Sequence, residues 1–109
     1  MNRPGLTKMT KIDVVVPHTN ADAVRTLITR AGATGYTSIS GVAGLGHHGQ
    51  HHGPLLFNDR DTLDLIITVV PDDHADTLIP TITDLLQTTP GVMFVSDTYV
   101  SRPHYFRVT

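Results

Sequence analysis

The sequence predicts an α+β fold, a ferredoxin-like βαββαβ sandwich with a long loop between strands 2 and 3. Two stretches of one-sided helical periodicity, four short β-branched runs and their alternating order point to it. The chain has 109 residues, enough for one domain and too few for two ordinary ones. Residues 1–10 are expected to be a flexible lead and 11–109 a single domain.

Residues 11–17 (KIDVVVP) are apolar, β-branched and end at a proline, which predicts the first strand. Asn20 is placed to cap a helix over 21–31. There Val24, Leu27, Ile28 and Ala31 recur at helical spacing, and Gly32 is the stop signal. Residues 34–42 alternate weakly and predict a second strand. A stretch rich in glycine and histidine then begins at Gly41 and has no periodicity. A loop of this length in a compact domain is a functional or a disordered one.

Residues 63–71 (LDLIITVVP) form a continuous apolar run, expected to be buried on both faces. Asp72 and Asp73 are placed to cap a second helix with Ala75, Leu78, Ile79, Ile82, Leu85 and Leu86 on one face. Pro80 demands either a kink or a start late enough to put it in the first turn. Residues 88–91 (TTPG) predict a turn, 92–95 a strand and 99–108 a last irregular strand. Two helices cover one sheet face. The other needs cover too, and for so small a chain further copies of itself are the expected cover.

The ten acidic residues are all aspartate, the net charge is −2 and no basic tract is present. That argues against a phosphate-driven nucleic-acid binder. The absence of cysteine excludes disulfides, thiolate metal sites and cysteine nucleophiles. No apolar run approaches the roughly 20 residues that span a bilayer. Residues 1–10 carry no hydrophobic signal core, so a cytoplasmic location is expected.

The run from Gly41 to Gly46 follows a strand without opening a helix, so it fails the structural test for a dinucleotide fingerprint. Its glycines still let backbone N–H groups approach a phosphate or small anion. His47, His48, His51 and His52 include two i, i+4 pairs, the spacing at which imidazoles share Zn²⁺ on a helix. Gly44, Gly46, Gly49 and Gly53 argue against a helix there, which leaves these histidines as weak metal candidates. Arg102 and Arg107 read either as surface charge or as a guanidinium fork for phosphate. Asp64 and Asp97 read as cap or turn residues. No G-x-S-x-G setting and no Ser-His-Asp arrangement is present, and no enzyme is expected.

The order KIDVVVP, the helix end Ala31-Gly32, Gly35-Tyr36-Thr37, Val42-Ala43-Gly44-Leu45-Gly46 and then ITVVPDD resembles the PII signalling superfamily over roughly residues 11–100. The resemblance implies a homotrimer that binds adenine nucleotides in the clefts between subunits. It also implies that the long loop, the T-loop, reports the ligand state to a transporter or enzyme. By position it implies that Val15 and Thr68 line the nucleotide cleft and that Thr37 contacts the adenine side. Gly44, Leu45 and Gly46 would run past the base and phosphates. Thr89 and Gly91 fall at the phosphate-gripping turn, and Arg102 or Arg107 would supply the cationic partner.

Departures from the family pattern carry information too. The tyrosine that receives a nucleotidyl group has no counterpart; Leu56 and Phe57 lie in that region. The glutamine that helps hold Mg-ATP and 2-oxoglutarate falls on His48, and the T-G-x-x-G-D-G run is missing. These departures make the chain look like the carboxysome-associated PII-like type, tied to inorganic-carbon uptake, with ADP or AMP and bicarbonate as ligands. Gly46, His47, His48 and Gly49 offer N–H donors suited to a small planar anion. The expected activity is therefore regulatory. Ligand contacts offset the entropy of ordering residues 44–60, and the ordered loop docks on a partner, a membrane transporter by this resemblance. The alternatives are a PII-like sensor of another small ligand, a metal-binding trimer using the loop histidines, similar to the divalent-cation tolerance proteins, and an acylphosphatase-like hydrolase. The hydrolase needs an arginine cradle and an asparagine after the first strand, and Asn20 reads better as a cap.

Overall fold

A computed structural model describes residues 3–42 and 62–107. Four strands form one antiparallel sheet in the order β2-β3-β1-β4: β1 (Thr7–Pro17), β2 (Thr37–Val42), β3 (Leu63–Val70) and β4 (Val92–Val100). Helices α1 (Ala21–Arg30) and α2 (Asp72–Leu85) lie on one face, which makes the split βαβ arrangement of a ferredoxin-like fold.

The core forms because each element has a single apolar face. Ile12, Val14 and Val16 of β1 and Ile66 and Val70 of β3 point toward the helices. Ala21, Val24 and Ile28 of α1 and Ala75, Leu78 and Ile82 of α2 meet them at helical spacing. Gly32 (φ +96°) ends α1 in the left-handed conformation that glycine tolerates best. Asn20 occupies the position before α1, yet its side chain makes no capping hydrogen bond.

Several expectations are corrected. The first strand begins at Thr7, not Lys11, because β4 pairs with it as far as Thr7↔Val100 and Met9 is buried. The second helix starts at Asp72 and keeps Pro80 in its interior, on the exposed side where the missing N–H costs least. Pro71, not an aspartate, holds the N-cap position; Asp72 and Asp73 lie in the first turn, beside the positive end of the helix dipole. Residues 92–95 and 99–100 belong to one continuous strand, β4. The expected last strand over 99–108 does not form: Arg102 turns the chain at φ +54°, and Pro103–Phe106 are a 3-10 turn.

Burial along β3 alternates strictly instead of covering both faces. Asp64, Ile66, Thr68 and Val70 are buried, while Leu63, Leu65, Ile67 and Val69 face the open side and stay half-exposed. Cross-strand register orders that open face into rows. Ile39, Leu65, Val15 and Val92 make one; Thr37, Ile67, Asp13 and Phe94 the next; Val69, Lys11 and Ser96 a third. Ile39, Val92 and Phe94 are 46, 44 and 56% exposed, an apolar grouping of the kind that marks an interaction surface.

Candidate functional site

The described residues singled out from the sequence fall into two groups, one at the turn before β4 and one running from the start of β2 to the C-terminal 3-10 turn. At one end, the turn before β4 brings Gly91 against the backbone of β1. A Cβ on Gly91 would lie 2.6 Å from the Val15 carbonyl oxygen, so only glycine lets the two backbones approach this closely. Thr89, half-buried, belongs to the same turn. Pro17 and Val42 both pair with Leu63, which puts the two feet of the 43–61 segment at this same end of the sheet.

The other group gathers around the start of β2. Thr37 stands on the open face opposite Ile67. Thr34 Oγ1 donates to the Tyr105 carbonyl at 2.7 Å, tying the α1–β2 connection to the C-terminal 3-10 turn. The Arg102 guanidinium lies 5.8 Å from the centre of the Tyr105 ring, and Arg107 is exposed just beyond. β4 separates Arg102 and Arg107 from Gly91 by nine residues, about 30 Å at strand rise, while Thr37 lies only one cross-strand row from Val15. One chain therefore does not bring the two arginines to the Gly91 turn.

Thr68 departs from expectation. Its side chain points to the helix side and is 1% exposed, and its hydroxyl donates to the Gly35 carbonyl at 2.7 Å. It holds the α1–β2 connection and presents no free hydroxyl to a cleft. Gly44, Leu45, Gly46, His47, His48, Gly49, His51 and His52 lie outside the described residues. Among the described residues, no three histidines or aspartates stand close enough to hold a metal ion.

The sequence reading missed a polar cluster beside the loop feet. Asp64 is not a cap: it is fully buried, between a histidine and an arginine. His18 Nδ1 lies 3.0 Å from both carboxylate oxygens, and Arg25 Nη1 lies 3.7 Å from Oδ2. Arg25 also donates to Ser38 Oγ at 3.0 Å and pairs with Asp22. The Asp22 hydrogen bond holds the Arg25 guanidinium above its ordinary pKa. The His18 backbone N–H donates to the Thr62 carbonyl at 2.7 Å. Together these contacts fasten β1, α1, β2 and β3 at the point where the 43–61 segment leaves and returns. Strand parity held the signal, because Asp64 shares a face with Ile66, Thr68 and Val70. Asp97 likewise lies inside β4, not at a strand end, 3.5 Å from Lys8 Nζ.

Comparison with known proteins fits this geometry. The family model described as nitrogen regulatory protein P-II matches residues 9–105. A structure of CPII from Thiomonas intermedia K12, a nitrogen regulatory PII-like protein bound to ADP, AMP and bicarbonate, is 33% identical. The match covers 94% of this chain and 97% of that one, at a TM-score of 0.81. CPII bound to ADP and bicarbonate gives 31% identity, the same coverage and a TM-score of 0.79. A PII-like signalling protein from Thermus thermophilus shares the fold at 16% identity and a TM-score of 0.75, covering 94% of this chain and 98% of its own. A comparison with curated proteins gave no match. The family match spans all four strands and both helices, and the likeness to CPII runs nearly end to end in both chains; the chain belongs to the P-II family, as a PII-like protein of the CPII type.

Proposed function

We propose that this chain is a non-catalytic regulator, a homotrimer that binds ADP or AMP together with bicarbonate in the clefts between subunits. The observation that carries this reading is the 33% identity to CPII over 94% of the chain, CPII being bound to ADP, AMP and bicarbonate. The geometry supports it. The turn at Gly91 and the arginines at 102 and 107 sit at opposite ends of β4, so a cleft that uses both needs two subunits. The apolar open sheet face supplies a reason for subunits to associate.

In this reading Val15, Thr89 and Gly91 line one side of the cleft, with Gly44, Leu45 and Gly46 passing the nucleotide. Thr37 and Arg102 or Arg107 come from the other side. Gly46, His47, His48 and Gly49 bind bicarbonate through N–H donors. Ligand binding orders residues 44–60, which then dock on a membrane transporter or another inorganic-carbon protein of the cytoplasm.

The test is calorimetry with AMP, ADP, ATP and cAMP, each with and without bicarbonate or 2-oxoglutarate, near pH 8 at constant ionic strength. ADP or AMP should bind, and bicarbonate should tighten that binding. ADP should tighten bicarbonate binding by the same factor, because coupling free energy is reciprocal. Flat ADP affinity across the bicarbonate series overturns the inorganic-carbon reading. No binding of any nucleotide overturns the reading entirely.

A further inference from the structure

Asp13 stands in the middle of the open sheet face, flanked across the strands by Ile67 and Phe94 and along β1 by Val15 and Lys11. Its Oδ1 is buried among these neighbours and has no hydrogen-bond partner. Its other oxygen lies 3.7 Å from Lys11 Nζ, beyond hydrogen-bond reach. Lys11 and Asp13 are the charged residues in these three rows of the face. Oδ1 is already closed off from water, so the 22% exposure the side chain keeps comes through its other atoms. Covering the face removes that remaining water, and the carboxylate then needs a donor at its accessible edge.

We propose that Lys11 of one subunit donates to Asp13 of the next, an ion pair across the packed sheet faces that sets the register of the assembly. The inference rests on the trimeric reading above and deepens it. Each copy brings one cation and one anion to the same place on the same face. In a cyclic trimer every subunit then donates once and accepts once, and no charge is left over. Lysine suits this role because its ammonium carries three donors on a flexible stem. It can keep the loose contact to its own Asp13 while reaching a neighbour's. Apolar rows alone would let two faces slide over one another, whereas a single charge pair among them penalises every wrong register.

Sedimentation velocity at micromolar concentration tests this on the full chain. Wild type should sediment as a trimer. Lys11→Asp and Asp13→Lys place like charges together, and each should weaken assembly by about tenfold or more. Mixed in equal amounts, the two variants match charges at two of the three interfaces of a mixed trimer, so the mixture should assemble better than either alone. Asp13→Asn, which keeps size and shape, should also weaken assembly while the far-ultraviolet circular dichroism stays that of wild type. If wild type is trimeric and the charge variants assemble equally well, or if mixing brings no recovery, the pairing is overturned and the trimer stands. A monomeric wild type overturns both.

Discussion

At Asp64 the chain places a carboxylate at 0% exposure and surrounds it with a histidine and an arginine. A buried anion of this kind is tolerated because it is paired, and removing a partner leaves it exposed to the full desolvation penalty. His18→Ala should therefore destabilise the fold by about 1.5–3 kcal/mol, the range for a hydrogen bond to a charged group. Urea unfolding should show a lower midpoint with an unchanged slope. Asp64→Asn and His18→Ala should be non-additive when combined, since both remove the same contact. Gly91 makes a second prediction at this scale. Its φ of +147° and the 2.6 Å approach of a Cβ to the Val15 carbonyl leave an alanine no unstrained position. Gly91→Ala should cost about 1–3 kcal/mol in thermal unfolding. On the proposed function it should also lower ADP affinity, because it displaces the turn from β1.

Between elements, the contact with a pH signature joins β1 to the start of α2. Lys8 Nζ donates to Asp72 Oδ2 at 2.8 Å, and Thr10 Oγ1 donates to Asp72 Oδ1 at 2.7 Å. The Lys8 hydrogen bond, then the Thr10 one, holds the Asp72 carboxyl below its ordinary 3.8. Lowered in the folded state, this group contributes stability that is present above 3.8 and is lost as pH falls through its folded value. The Asp72 hydrogen bond likewise raises Lys8 above 10.5, so its contribution holds below that pH and fades as pH rises through the folded value. Asp72→Asn should flatten the acid limb of stability against pH, read from urea midpoints between about pH 2 and 7. Both side chains are exposed, so the effect should shrink in high salt. This contact also shows why residues 7–10 were unreadable as structure. Thr-Lys-Met-Thr has no strand pattern of its own and becomes strand because β4 and Asp72 hold it.

For the whole molecule, the proposed assembly and its ligands stand or fall on residues from more than one chain. Gly46→Val puts a branched Cβ where the proposed backbone passes the phosphates. It should abolish ADP binding in calorimetry while leaving the assembly state and melting temperature nearly unchanged. On the proposed function, His48→Ala should reduce the coupling between bicarbonate and ADP more than it reduces ADP affinity alone, since it would remove a donor to the anion and none to the nucleotide.

The sequence by itself determined the βαββα order up to the last strand, the helix faces and the stop at Gly32. These depend on periodicity and local backbone preference, which neighbours in sequence decide. It also pointed to the family, because KIDVVVP, the glycine run and VVPDD keep their spacing. Only the tertiary structure decided that Asp64 is a buried hub, that Thr68 is committed to Gly35 and that β4 is a single strand. It likewise decided that Gly91 and Arg102 lie at opposite ends of the molecule. Each of these follows from pairing between segments far apart in the chain. A charged residue within an apolar run, or a strand edge beside a proline, has its meaning set by what the register lays next to it, and no local pattern carries that information.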